Sequence, residues 1–280
     1  MSFTYIDTHV HFWDQQVLPY PWLVEVPAIA GPHTPEELQR EAGPDLPAQI
    51  VFVECGAPWL DEVKWIEQLA AREPRITAIV AKCVLNAGPA TTAAIAELRR
   101  HPLVHGVRHL IQDEPDPRYC VTPEFVAGVR QLGAVGLSFD LCCFHHQLPA
   151  VTELVCQCPD TRFILDHFGK PGIKAGLLDP WREHIRALAA RPNVTCKLSG
   201  LITEADHTAW TLDQLRPYVD HVLATFDTSR VLFGGDWPVA KLAGAYPRWL
   251  DTARRLVSHV SPDGQDAIFA GNARRAYRLP

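Results

Sequence analysis

The feature that most constrains the fold of this chain is a regular alternation of short apolar runs with amphipathic segments. The apolar runs are rich in Val, Ile, Leu and Phe, as expected for parallel strands that are buried on both faces. Strands are predicted over residues 3–7, 49–54, 76–82, 104–111, 135–141, 162–166, 194–198 and 230–234. Helices are predicted over residues 60–72, 92–100, 123–132, 148–156, 180–190, 212–225, 246–258 and 262–277. Eight strands that alternate with helices favour an α/β fold, a (β/α)8 TIM barrel, with a doubly wound sheet as the alternative.

The length of the chain fits one barrel, and its charge and hydropathy argue against nucleic-acid and membrane partners. The chain has 280 residues, and a barrel of this type needs about 250, so we expect a single domain over residues 1–280. The net charge of -6 argues against a nucleic-acid partner. No apolar run approaches the ~20 residues that span a bilayer, and residues 1–7 do not read as a signal peptide, so no membrane partner is expected.

Cysteine usage predicts the compartment. The chain has eight cysteines but no Cys-x-x-Cys pair, and the Cys156-x-Cys158 spacing is poor for zinc. Cys55, Cys83 and Cys196 lie in apolar runs and read as small core residues. This pattern favours reduced thiols and a cytoplasmic location.

One stretch interrupts the alternation. Residues 13–47 carry seven prolines and little helical periodicity. A connection of this length is usually either functional or disordered, and the aromatic residues Trp13, Tyr20 and Trp22 argue against disorder. We therefore predict a long, ordered, proline-rich first β-to-α loop that covers part of the barrel mouth.

Two histidines near the first predicted strand give the clearest sign of chemistry. His9 and His11 are two residues apart, so in an extended chain their side chains lie on the same face. At the C-terminal end of a first barrel strand, both imidazoles point into the mouth. Gathering two imidazoles is costly unless they are used, because each must be desolvated and hydrogen-bonded.

Polar residues also lie at the ends of the other predicted strands. Barrel enzymes assemble their chemistry from the C-terminal ends of several strands, so these residues are candidates for the same site. They are Glu54, Lys82, Arg108, His109, Asp140, Asp166, His167, Lys197, Ser199 and Asp236. Their joint occurrence is more informative than any single one of them.

Several of these residues also have structural interpretations. Glu54 and Lys82 are suited to an ion pair with each other, Asp140 to a loop cap, and Asp166 to a hydrogen bond that orients a neighbour. Lys197 is suited to extending from its strand to the rim.

The strand period leaves open which of two neighbours on the fourth strand points inward. We favour Arg108 over His109. Gly234 and Gly235 before Asp236 indicate that the backbone passes close to a ligand or a neighbour there.

Three motifs resemble those of the amidohydrolase-2 branch of the amidohydrolase superfamily. They are Asp7-Thr8-His9-Val10-His11-Phe12-Trp13, Leu165-Asp166-His167-Phe168-Gly169-Lys170-Pro171 and Phe233-Gly234-Gly235-Asp236-Trp237-Pro238. More narrowly, the chain resembles the sugar lactonases of that branch, the L-fuconolactonase and L-rhamnonolactonase group. It departs from them at Glu54 and Lys82, where relatives often carry Gln and Trp, so substrate contacts are expected to differ.

The resemblance implies a hydrolytic site and a place for one divalent metal ion such as zinc. His9, His11, His167 and Asp236 occupy the positions that hold a metal in the superfamily. Arg108 stands in the region where binuclear members carry a ligand, so a binuclear centre is not expected. The lactone-hydrolysing relatives imply that no metal is obligatory.

The reaction implied is the opening of a sugar lactone to the sugar acid. Asp236 is the expected general base that activates water, with His167 and Arg108 stabilising the oxyanion. Candidate substrate-binding residues are His9, His11, Glu54, Lys82, Asp140 and Trp22. Lys82 together with Arg108 suits the product carboxylate. Trp22 and Trp237 suit either a sugar face or packing.

Two other functions compete with lactone hydrolysis. A metal-dependent decarboxylase shares this barrel branch and needs tightly bound zinc at the same four residues. A non-catalytic sugar-binding barrel needs no general base, which counts against it. The sequence identifies neither the sugar nor the oligomeric state.

Overall fold

A computed structural model describes residues 4–280 and shows a parallel eight-stranded barrel. Each strand pairs with the next in chain order, from β1 to β8. The strands are β1 (Ile6–Val10), β2 (Gln49–Val53), β3 (Ile76–Lys82), β4 (Val104–Arg108), β5 (Ser138–Leu141), β6 (Arg162–Leu165), β7 (Val194–Leu198) and β8 (Val231–Phe233). The predicted (β/α)8 TIM barrel is therefore confirmed, and the doubly wound sheet is wrong.

Helices follow the strands along the described chain and cover the barrel. They are α1 (Pro35–Ala42), α2 (Trp59–Ala70), α3 (Pro89–Leu98), α4 (Pro123–Val135), α5 (Leu148–Gln157), α6 (Trp181–Ala189), α7 (Leu212–Phe226), α8 (Tyr246–Leu256), α9 (Pro262–Asp266) and α10 (Asn272–Tyr277). A π-helical turn, Ala267–Gly271, joins α9 to α10, so the single final helix predicted is interrupted there. No helix among residues 4–280 has the length and apolar character that crossing a membrane requires.

The last helix closes the N-terminal end of the barrel. Ala273, Ala276 and Tyr277 of α10 pack with the interior residues Ile6 and Val80 in one buried cluster. This packing seals the end of the barrel opposite to the strand C-termini. The polar groups of the interior are therefore reached from the C-terminal mouth.

Strand boundaries differ from prediction at the end of β1 and at the start of β5. Strand β1 runs to Val10 rather than ending at residue 7, so His9 lies within the strand; the predicted start at Phe3 lies outside the described residues. Strand β5 begins three residues later than predicted, because α4 continues to Val135 and Gly136 ends it with φ 77°. Left-handed backbone of this kind favours glycine, and it is a common helix ending.

The first β-to-α connection is ordered, but it contains a helix that was not predicted. Helix α1 has proline in its first turn, followed by Glu36 and Glu37, and it buries Leu38 and Ala42, which are four residues apart. Acidic residues near a helix N-terminus and apolar residues at i and i+4 are ordinary helix signals. The proline count of the whole stretch concealed this local pattern.

The remaining part of the connection reaches the barrel mouth, as predicted. The backbones of Trp13 and His33 form an antiparallel bridge. The Trp22 indole N–H donates to the Cys55 carbonyl at 2.7 Å, just beyond the end of β2. The proline-rich segment is thereby attached to the end of the barrel where the strand C-termini lie.

The barrel closes between β1 and the segment that follows β8. The Asp236 backbone N–H donates to the His9 carbonyl at 2.7 Å, and the His11 N–H donates to the Trp237 carbonyl at 2.7 Å. These bonds place Asp236, which follows the last strand, directly beside His9 and His11 at the end of the first.

Candidate active site

Three imidazoles surround one carboxylate oxygen at the barrel mouth. Asp236 Oδ1 lies 3.6 Å from His11 Nε2, 3.7 Å from His9 Nε2 and 3.9 Å from His167 Nε2. All four side chains are buried. The distances exceed those of direct hydrogen bonds, so the space between these groups can be filled by a small ligand.

Glycines allow the backbone after β8 to approach β1. A Cβ atom on Gly234 would lie 2.8 Å from the His9 Cβ, and one on Gly235 would lie 2.3 Å from Asp7 Oδ2. Asp7 accepts hydrogen bonds from the Gly235 N–H at 2.7 Å and from the Tyr246 hydroxyl at 2.8 Å. The two glycines thus permit a close approach between backbone and neighbour, and Asp7 fixes it.

Two of the site residues have left-handed backbone. His167 has φ 51° and Asp236 has φ 55°. Non-glycine residues in this conformation cost free energy and cluster at functional sites. A Cβ on Gly200 would lie 2.3 Å from His167 Nδ1, so the loop after β7 packs directly against this imidazole.

The hydrogen bond of His11 determines what this ring presents to the site. His11 Nδ1 lies 2.8 Å from the Val53 carbonyl oxygen, which can only accept. The Nδ1 atom therefore carries a proton. In the neutral ring, Nε2 then presents a lone pair toward Asp236.

His9 has the opposite arrangement, and Lys197 causes it. Lys197 Nζ lies 3.1 Å from His9 Nδ1, and an ammonium can only donate. In the neutral ring, the proton is then on Nε2, which faces Asp236. Burial, followed by the charge of Lys197, lowers the pKa of His9 well below its ordinary value.

Lys197 is the centre of a buried charge cluster beneath these imidazoles. Its ammonium lies 2.7 Å from Asp140 Oδ2 and 2.9 Å from Asp166 Oδ1, and all three side chains have no exposed surface. The Tyr277 hydroxyl also donates to Asp140. The interpretation of Lys197 as a rim residue is wrong, because the barrel interior supplies two carboxylates that hold it.

Arg108 points into the barrel, as favoured. Its Nε donates to Glu54 Oε1 at 2.7 Å and its Nη2 to the Glu54 carbonyl at 2.7 Å. Its Nη1 lies 3.5 Å from both His9 Nε2 and Asp166 Oδ2. His109 points outward instead, and its Nδ1 accepts from the Leu85 N–H at 3.2 Å.

The pKa shifts of Asp236, His167 and Arg108 determine which of these three groups carry a charge. Burial alone would raise the pKa of Asp236, but the imidazoles of His167, His11 and His9 together hold it below its ordinary value. Burial lowers the pKa of His167 to about 4. Burial would lower the pKa of Arg108, but the carboxylate of Glu54 outweighs burial and holds this pKa above its ordinary value. Near neutral pH, Asp236 and Arg108 are therefore ionised and His167 is neutral.

Other residues expected at the site lie around it with their hydrogen bonds largely internal. Glu54 pairs with Arg108 rather than with Lys82, and its second oxygen accepts from the Gly56 N–H at 2.9 Å. Lys82 is half-buried and donates to the Gly56 carbonyl at 3.3 Å. Trp237 is fully buried and donates to Glu41 at 2.9 Å, which is a packing role.

Sequence reasoning gave no role to two charged residues of the loops that follow β6 and β7. Lys170 belongs to a motif quoted above, and its ammonium lies 4.0 Å from a carboxylate oxygen of Glu204 at the mouth. Periodicity says nothing about loops. The available signal was their position, directly after strands whose ends carry His167 and Ser199.

The donor set is chemically suited to a metal ion. Ligand atoms of His9, His11 and Asp236 all lie within 4.8 Å of one another, and imidazole with carboxylate is a usual set for zinc. His11 already presents its Nε2 lone pair. His9 presents one only if its proton moves to Nδ1, where Asp166 Oδ1 lies 3.3 Å away. The residues therefore fit a metal, in competition with the hydrogen bond from Lys197.

Comparison with known proteins defines the class. The profile of the Amidohydrolase family matches residues 6–279, so the chain belongs to this family. It is 35% identical to an L-fucono-1,5-lactonase of Burkholderia multivorans over 98% of this chain and 96% of that protein. It is 33% identical to an L-fucono-1,5-lactonase of Burkholderia ambifaria over 98% of this chain and 95% of that protein.

A solved structure extends this similarity to three dimensions. The barrel superposes on an amidohydrolase of Burkholderia multivorans with bound zinc, with a TM-score of 0.90 and 33% identity. The match covers 99% of this chain and 100% of the other. The fold of the family thus accounts for the full length of the barrel described above.

Proposed function

We propose that this protein is a hydrolase that opens a sugar lactone to the corresponding sugar acid. The observation that carries the proposal is the buried carboxylate of Asp236, which has three imidazole nitrogens 3.6 to 3.9 Å from one of its oxygens. Similarity to two L-fucono-1,5-lactonases over nearly the whole chain supports the same reaction class.

In the proposed reaction, Asp236 takes a proton from a water molecule that lies between it and the imidazoles. The water oxygen attacks the lactone carbonyl carbon, and the carbonyl oxygen becomes negative. The bond from that carbon to the ring oxygen then breaks, and Asp236 returns its proton to the departing oxygen. Water is consumed, and the product is a hydroxy acid that ionises at neutral pH.

Donors for the developing oxyanion come from the same site. His9 presents an Nε2–H when Lys197 donates to its Nδ1, and Arg108 Nη1 makes only long, 3.5 Å contacts with His9 Nε2 and Asp166 Oδ2 in the described chain, which a substrate oxygen can replace. Preorganised donors of this kind supply much of the rate enhancement in acyl transfer. His167 is the third candidate, held by a 2.8 Å contact between its Nδ1 and the Ser199 hydroxyl.

The depressed pKa of Asp236 has a cost for a general base. A carboxylate that is easily ionised has low proton affinity, so it removes a proton efficiently only from an acidified water. A divalent ion held by His9, His11, His167 and Asp236 would supply that acidification. We propose no obligatory metal, because lactones are activated esters and Arg108 provides a positive charge nearby.

The remaining substrate contacts stay proposals. Lys82 and Trp22 lie at the mouth on neighbouring segments, where they suit the acid group and a sugar face. Glu54 and Asp140 contact Arg108 and Lys197, so we assign them to orienting those cations. We also infer a reducing compartment, such as the cytoplasm, because all eight cysteines are free thiols and seven are buried.

The test is a screen of aldonolactones for acid release, using a pH indicator, with and without a chelator. We expect release from at least one 1,5-lactone in both conditions. Loss of activity with chelator and its return with zinc would make the metal obligatory. No acid from any lactone, together with CO2 release from an aromatic acid by the zinc-loaded protein, would replace this proposal with a decarboxylase.

A further inference from the structure

Lys170 lies at the mouth in a turn that begins at His167. Its backbone N–H donates to the His167 carbonyl at 2.9 Å, and its φ of 46° is left-handed. His145 of the loop after β5 contacts the Lys170 carbonyl at 3.2 Å. The backbone of Lys170 is therefore fixed on both sides, which gives its side chain a defined origin.

The Lys170 side chain is mostly buried, and its ammonium has no hydrogen-bond acceptor among residues 4–280. Its side chain is 17% exposed. The nearest carboxylate oxygen, Oε1 of Glu204, is 4.0 Å away, and the Phe144 ring centroid is 5.3 Å away. Burying an ammonium without acceptors is costly, so native structures usually give such a group a partner.

Glu204 is also mostly buried and lacks a hydrogen-bond partner for its carboxylate in the described chain. Its side chain is 20% exposed, and within the described chain neither of its carboxylate oxygens accepts a hydrogen bond. Its backbone carbonyl accepts from the Lys174 N–H at 2.9 Å, which ties the loop after β7 to the loop after β6. An open donor and an open acceptor are thus held opposite each other.

The 4.0 Å separation fits one oxygen atom between the two groups. It is too long for a direct hydrogen bond, yet an oxygen at about 2.8 Å from each end bridges it. A hydroxyl group suits this position because it accepts from the ammonium and donates to the carboxylate. A group without an O–H satisfies only one of the two.

We propose that Lys170 and Glu204 form a binding subsite for one hydroxyl group of a polyhydroxylated substrate. The inference rests on the proposed function for the identity of the substrate. The subsite adjoins the reacting groups, because Lys170 follows His167 by three residues and the β7 loop packs against the His167 ring. These residues thereby select sugar-derived lactones over simple alkyl lactones.

A second ion pair between the same loops provides a matched control. Lys174 Nζ lies 3.7 Å from Asp206 Oδ2, but these side chains are 71% and 42% exposed. Replacing Lys174 removes a lysine from the same loop without touching a buried group. Lys170→Met, Glu204→Gln and Lys174→Met therefore form one comparable set.

The experiment measures kcat/KM for the best aldonolactone of the screen and for each of its monodeoxy analogues. For one analogue, we expect the wild-type kcat/KM to be about 10- to 100-fold lower than for the parent lactone, which is the range for a hydrogen bond to a charged group. Lys170→Met and Glu204→Gln should lower kcat/KM for the parent lactone. The ratio of kcat/KM for the parent to kcat/KM for that analogue should therefore fall close to one. Lys174→Met should retain the wild-type ratio.

The subsite proposal is overturned if both buried variants keep the wild-type ratio for every analogue. It is also overturned if they lose activity equally on the parent and all analogues, which is the result of general damage. If the wild type opens no lactone, the proposed function fails by itself. Binding of L-fuconate, measured by calorimetry, then decides the subsite: weaker binding in Lys170→Met but not in Lys174→Met retains it, and equal binding removes it.

Discussion

Two buried lysines of this barrel differ in how many partners the protein gives them. Lys197 is fully buried and lies within 3.1 Å of two carboxylate oxygens and one imidazole nitrogen. Lys170 is 17% exposed, and its nearest carboxylate oxygen is 4.0 Å away. We call the charge of Lys197 completed, because groups of the protein surround it at contact distance. We call the charge of Lys170 open, because no carboxylate of the described chain is within hydrogen-bond distance.

The same difference separates the acidic residues of the site. Both oxygens of Glu54 accept hydrogen bonds from the protein, at 2.7 Å and 2.9 Å. Asp236 Oδ1 has its nearest imidazole nitrogen at 3.6 Å. We expect completed charges to govern stability and open charges to govern substrate binding and turnover.

The largest effect is expected for an open charge. Asp236→Asn keeps the shape of the side chain but removes its basicity, so kcat on the best lactone should fall by more than about 10³-fold, since losing one oxyanion donor already costs 10²–10³. The free energy of unfolding should change by less than about 1 kcal/mol. Steady-state kinetics and urea unfolding measure the two quantities. Near-normal turnover in this variant would remove Asp236 from the role of base.

The opposite pattern is expected for a completed charge. Lys197→Met leaves Asp140 buried without a cation and Asp166 with only its 3.5 Å contact to Arg108, and breaking a buried pair in this way costs about 3–5 kcal/mol. Urea unfolding should show this loss. Lys82→Met is the control, because Lys82 is half-buried with a single 3.3 Å hydrogen bond, and it should cost less than about 1 kcal/mol. Equal stability of the two variants would contradict the distinction between completed and open charges.

The smallest effect concerns a neutral group outside the site. Burial lowers the pKa of His109 from 6.5 to about 4, so between these values the unfolded chain binds the proton more readily. The stability that the neutral ring provides is present above pH 6.5 and is lost as the pH falls to about 4, by up to about 3 kcal/mol.

The measurement is urea unfolding of the wild type and His109→Phe from pH 7.5 to pH 4. We expect the wild type to lose stability relative to the variant as the pH falls through this window. A difference that stays constant over the whole range would place the pKa of His109 near that of an exposed histidine.

Most of the fold was predictable because strands that are buried on both faces consist largely of apolar residues, and such runs are visible in the sequence. The bounds of β3 and β7 were predicted without error. Helix α1 was missed because the prolines around it outweighed one buried stripe, Leu38 and Ala42. The early end predicted for β1 had a different cause, since its last residues are the polar ones that carry the site.

The composition of the site was predictable in part, and its connections were not. The positions of His9, His167 and Asp236 at strand ends follow from the barrel, which brings those ends together. The partners of Lys197 did not follow, because three strands and the final helix meet at one ammonium and no spacing in the sequence encodes this. Lys170 and Glu204 required knowing which loops touch.

The closure between β1 and the segment after β8 has a consequence for how the protein is made. His9 lies on the first strand of the barrel and Asp236 just after the last, so the backbone bond between them forms only when both have been synthesised. Tyr277 of α10, which follows the last strand, likewise supplies a hydrogen bond to Asp140. A nascent chain that has not yet passed Asp236 therefore has no closed barrel mouth, so the site cannot form before the last strand and the segment after it are made.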